Sequence, residues 1–70
     1  MDLVRLFGEN VRKERLARGM TQDELAAAAN MERSYVSDLE RGTRNPSIHA
    51  LGRLAEALEV DAWTLLRPSE

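Results

Sequence analysis

Apolar residues recur along the chain at spacings of three and four, and no two-residue alternation persists. That pattern predicts amphipathic helices rather than strands. Helix formers dominate, while β-branched and aromatic residues are sparse, so the expected fold class is all-α. Local punctuation divides the pattern into five helices. The first starts after Asp2 and runs to about Arg18, where Gly19 supplies a left-handed stop; Gly8 within it is expected to weaken it by about 1 kcal/mol relative to Ala. The second opens on a T-x-x-E capping box, Thr21 and Glu24, with Met20 and Leu25 at the two positions of a hydrophobic staple. It continues through Ala29, and Asn30 then tolerates the left-handed geometry of a sharp turn. A third, about Arg33 to Arg41, buries Val36 and Leu39 on one side and stops at Gly42, with Met31 and Val36 at staple spacing. "NPS" breaks the chain, and Ser47 caps a fourth helix whose Ile48, Leu51, Leu54, Ala55 and Leu58 share a face. Asp61 caps a fifth, with Val60 and Leu65 at staple spacing, and Pro68 ends that element after Leu66.

The junction of the second and third helices carries more information than amphipathicity alone. Two short helices joined by about three residues cross steeply, which requires a small residue at the crossing, a turn residue able to adopt positive φ, and an aliphatic anchor on the second helix. Ala26, Asn30 and Val36 meet these demands, and Leu25 and Leu39 close the core behind them. The stretch "GMTQDELAAAANMERSYVSDLERGTRNPS", with the apolar pattern of the fourth helix after it, resembles the phage-repressor (Cro/cI-like, XRE) helix-turn-helix family over about Val11 to Leu66. The resemblance implies that residues 1–70 form a single five-helix, lambda-repressor-like DNA-binding domain with a helix-turn-helix. Its third helix would enter the major groove of double-stranded DNA, usually within a two-fold symmetric homodimer. Within the family, "DELAAAANMERSYVSDLERGTRN" is most similar to the controller proteins of restriction-modification systems. Two positions depart from the family pattern: Asn30 stands where Gly is usual, and Glu32 is a weak N-cap for the third helix.

Composition narrows the picture. Seventy residues make one domain at most, with a core that is marginal alone. There is no Cys, which removes disulfides and thiolate metal sites and suits a reducing cytoplasm. No apolar run approaches the roughly 20 residues of a membrane span, and the N-terminus lacks a signal pattern, so a soluble cytoplasmic protein is expected. A net charge of −2 argues against a general nucleic-acid binder, and "MERSYVSDLERGTRN" itself is neutral, with three arginines against three acids. The charges separate along the chain, however. Arg12 to Arg44 holds seven basic and six acidic residues, whereas the remainder holds three and six. The negative excess therefore lies outside the motif, where screening beyond about 8 Å limits its opposition to DNA. By resemblance, Glu40 is the family's buried acid and Arg15 the first-helix arginine that pairs with it, so neither would face DNA.

Only the front of the third helix can reach base edges, because its rear packs on the domain. This selects Arg33, Ser34, Tyr35, Ser37 and Asp38 as base-contacting candidates. Arg33 suits guanine O6 and N7 bidentately; Ser34 and Ser37 can bond a base or a phosphate; Tyr35 can pack on a thymine methyl or donate its hydroxyl to a phosphate. Asp38 has two readings, acceptance from cytosine N4 or rejection of wrong sites. Gln22, at the start of the second helix, is expected to meet a phosphate near the positive end of the helix dipole, and the resemblance implies the same contact. Arg41, Thr43, Arg44 and Asn45 are expected to grip the DNA backbone. Trp63 and Leu66, beside Leu65, offer a homodimer contact, with Trp63 packed inside the domain as the alternative. His49 is the one histidine, no metal or cofactor is expected, and no nucleophile, base and orienter set suggests an enzyme. The reading is a sequence-specific transcriptional regulator acting on an inverted repeat, for which RNA polymerase is a further conceivable partner. The alternatives are an antitoxin of a toxin-antitoxin pair and a helical protein-interaction module.

Overall fold

In the computed structural model, which describes residues 2–68, each helix begins and ends for a local reason. Helix α1 spans Leu3–Ala17, α2 Gln22–Ala28, α3 Arg33–Arg41 and α4 Ile48–Leu58. Asp2 accepts a hydrogen bond from the Arg5 N–H to start α1, Thr21 and Glu24 form the reciprocal capping box of α2, and Ser47 accepts from the Ala50 N–H to start α4. Glu32 makes no side-chain cap bond at the start of α3.

The expected fifth helix is absent: Ala62–Leu65 forms a single 3-10 turn. Asp61 makes no side-chain cap bond there, and the few residues before Pro68 cannot repay the nucleation of an α-helix. The described residues therefore hold four α-helices and this turn, with no strand, and none of the helices is long and apolar enough to cross a membrane.

All four helices end alike. Each is followed by a residue with left-handed backbone, Gly19, Asn30, Gly42 and Glu59 at φ of 67, 56, 75 and 58°. In each case the next N–H reaches back to a carbonyl five residues earlier: Met20 to Arg15, Met31 to Ala26, Thr43 to Asp38, Val60 to Ala55. Glu59 is the one stop that residue type does not announce.

The core is built from Phe7, Val11, Leu25, Val36, Leu39, Leu54, Leu58 and Leu65, none more than 1% exposed. Leu65, expected beside a dimer face, is an interior residue of its own chain. Ile48, the first residue of α4, is 81% exposed, and Ala50 is the first buried residue of that helix. Asn10 is buried and donates to the carbonyls of Leu65 at 3.0 Å and Arg67 at 2.8 Å, so one amide on α1 fastens the segment after α4.

Helix α1 packs chiefly against α3. Gly8 makes this possible, since a Cβ at that position would sit 1.9 Å from the Leu39 carbonyl oxygen. Gly8 therefore marks a close approach of the two helices.

Candidate nucleic-acid interface

Helices α2 and α3 are joined by Ala29–Glu32, with Ala26 and Ala29 each 3% exposed at the crossing and Val36 fully buried. The small side chains allow α2 to lie close across α3, and Val36 with Leu39 fixes which side of α3 faces inward. The opposite side follows from helical period: Arg33 and Ser34 are exposed, and Tyr35, Ser37 and Asp38 are half-buried. Arg41, Thr43, Arg44 and Asn45 are exposed just beyond. The structure therefore brings the candidates onto and around one outer surface.

Behind that surface, Arg15 and Glu40 form a two-pronged ion pair. Arg15 Nε donates to Glu40 Oε2 at 2.7 Å and Nη2 to Oε1 at 3.0 Å, while Nη1 donates to the Met20 carbonyl at 2.8 Å. Their side chains are 10% and 4% exposed. The hydrogen bonds to Glu40 raise the proton affinity of the guanidinium against the opposing effect of burial. Among the described residues no buried side-chain nitrogen or oxygen lacks a partner. The pair binds α1, the turn before α2 and α3 together, so it orients the outer face of α3 from behind.

Gln22 joins this network, donating from Nε2 to Glu40 Oε1 at 3.0 Å. Helix α2 has only seven residues, its first turn carries Asp23 and Glu24, and the Thr21 hydroxyl already takes the Glu24 N–H at 3.0 Å. The second amide N–H of Gln22 is a donor that its bond to Glu40 leaves over.

The basic side chains of the outer surface face acids of their own chain. Arg33 Nε lies 3.7 Å from Asp23 Oδ1. Arg41 donates to Asp38, and Arg44 Nε lies 4.0 Å from the second Asp38 oxygen. The Arg44 guanidinium also covers the Tyr35 ring, 4.7 Å from its centroid, so in the free protein that ring face is occupied. A shallow groove beside the start of α3 is lined by Asn30, Ser34, Tyr35, Arg44 and Arg53. Arg53 is a cation that sequence reasoning missed. It stands on the polar side of α4, and only the packing of α4 shows that this side borders α3. Among the described residues no group of three or more His, Cys, Asp or Glu side chains could hold a metal ion.

A family model described as helix-turn-helix matches residues 11–62. The chain belongs to the helix-turn-helix family. Its relatives in this family include the control protein C.BamHI of Bacillus amyloliquefaciens, 44% identical over 87% of this chain and 76% of that protein. Among solved structures, the restriction-modification controller protein C.AhdI from Aeromonas hydrophila is similar with a TM-score of 0.86 and 39% identity, covering 89% of this chain and 94% of that one. The controller C.Esp1396I, solved as a tetramer on its natural 35 base-pair operator, is similar with a TM-score of 0.83 and 36% identity over 90% and 83% of the two chains. This helix-turn-helix protein is a DNA-binding transcriptional regulator, and its likeness is to restriction-modification controllers.

Proposed function

We propose that this regulator works in the cytoplasm as a homodimer that reads an inverted-repeat operator, one half-site per protomer, and that the genes it controls include those of a restriction-modification system. The observation that carries the reading is the outer surface of α3. Val36 and Leu39 anchor it from within and the Arg15–Glu40 pair holds it from behind, which leaves Arg33 and Ser34 exposed, with the half-buried Tyr35 and Ser37 beside them. In the proposed complex Arg33 pairs with a guanine in the major groove, Ser34, Tyr35 and Ser37 complete the contacts to the base edges, and Asp38 lies at their border. Gln22, Arg41, Thr43, Arg44 and Asn45 hold the sugar-phosphate backbone, with Arg53 added from the geometry of the groove. Where the operator adjoins a promoter, RNA polymerase is the neighbour on which the dimer acts.

Selecting bound duplexes from a random pool, then footprinting the winner, tests this reading. The expected result is an inverted repeat whose affinity falls steeply with salt. Arg33→Ala should then relax preference at one base position per half-site, a loss of about 1–3 kcal/mol, whereas Arg44→Ala should weaken all duplexes evenly. Failure to recover any preferred sequence would remove the operator-reading role, and salt-insensitive binding would favour a protein-interaction module.

A further inference from the structure

Asp38 lies in the last turn of α3, at the negative end of that helix dipole, where an acid is disfavoured. Both of its polar groups tie α3 to the loop that follows. Its carbonyl accepts the Thr43 N–H at 3.1 Å and the Thr43 hydroxyl at 3.2 Å. Its carboxylate, 33% exposed, accepts from Arg41 through Oδ1 and faces Arg44 through Oδ2. Arg44 is held a second time by the Tyr35 ring. Two arginines beside the reading face therefore share one carboxylate of their own chain, Arg41 by a hydrogen bond and Arg44 by proximity.

We propose that Asp38 is a specificity-determining residue that restrains Arg41 and Arg44, lowering affinity for non-cognate DNA more than for the operator. The inference rests on the DNA-reading face described under Proposed function. A phosphate has to compete with the Asp38 carboxylate for each arginine, and that carboxylate then stands near the polyanion. On a non-cognate duplex phosphate contacts supply essentially all of the binding, so the competition is felt in full. On the operator, base-edge contacts from the front of α3 fix the register, and arginines already held in direction meet their phosphates with less loss of side-chain freedom. Asp38 thus acts against wrong sites rather than as a reader of cytosine.

The test is equilibrium binding of the full chain and of Asp38→Asn to two duplexes, the operator recovered by selection and a mixed-sequence duplex, across a salt series. Asn keeps the size of the side chain and the backbone bonds to Thr43 while removing the charge. The expected result for the mixed-sequence duplex is an affinity gain of about three- to tenfold and a log-log salt slope steeper by about 0.9. Operator affinity changes less, so the specificity ratio falls. Asp38→Glu restores the wild-type ratio, and the gain from Asp38→Asn shrinks when Arg41 and Arg44 are both replaced by Ala. Unchanged non-cognate affinity and slope overturn the proposal, as does a loss of operator binding confined to one C·G position, which would make Asp38 a base reader. If the wild-type chain itself shows no salt-dependent duplex binding, the reading face is refuted and this role with it.

Discussion

Glu40 and Asp38 are both acids of α3, only two positions apart, yet they do different work because helical period turns one inward and leaves the other at the rim. Glu40 is nearly excluded from solvent against Arg15 and Gln22. Removing it leaves a guanidinium with only the Met20 carbonyl for company. Glu40→Ala should therefore destabilise the fold by about 3–5 kcal/mol, visible as a fall in Tm of more than about 10 °C; an unchanged Tm would mean that the pair contributes nothing. Because Glu40 raises the proton affinity of Arg15, the stabilisation from this guanidinium is complete at and below the ordinary arginine range. It is lost only as pH climbs through the raised value, so Arg15 itself adds no pH dependence near neutrality. Of the acids in Met31–Asn45, Glu40 is thus turned away from the outer surface, whereas Asp38 stays on its rim beside Arg41 and Arg44. Residue types could suggest the surface of α3, and a family resemblance could suggest the buried pair. Neither could show that Arg33, Arg41 and Arg44 each face an acid of their own chain, because those contacts depend on side-chain directions in the folded chain.

Helix boundaries were legible wherever a residue type forces the backbone. Thr21, Glu24, Asn30, Gly42 and Ser47 act as the pattern implies, and α3 falls on Arg33–Arg41. Legibility failed where no such residue stands. Glu59 takes the left-handed conformation because Val60 must return to bond the Ala55 carbonyl, and the last segment stays a 3-10 turn because it is too short to propagate. Gly8 adds a second limit, since propensity describes a lone helix while the neighbour that matters here is α3. Gly8→Ala forces a methyl onto the Leu39 carbonyl and should cost about 3 kcal/mol, the upper end for overpacking, because backbone rather than a side chain must give way. Urea denaturation measures this. A change below about 0.5 kcal/mol, the range of ordinary surface substitutions, would contradict the close approach of α1 and α3.

The described chain measures 29 × 21 × 18 Å. Two such bodies side by side can place their α3 helices about 34 Å apart, one turn of B-DNA, which is the spacing a two-fold operator requires. Trp63 is 61% exposed with the Arg67 guanidinium 5.1 Å from its ring, and Leu66 is half-buried. With Leu65 withdrawn into the core, these two remain the predicted contact. Trp63→Ala should leave the fold intact and shift the chain toward monomer in sedimentation equilibrium, with weaker operator binding as the consequence; a variant as dimeric as the wild type would place the interface elsewhere. The central claim, that the solvent face of α3 reads DNA, is tested most directly by recording backbone amide shifts of the labelled protein as the selected operator duplex is added. The account predicts that the largest changes fall on Arg33 to Asp38 and on Thr43 to Asn45. Large changes confined to other surfaces, with α3 unmoved, would contradict it.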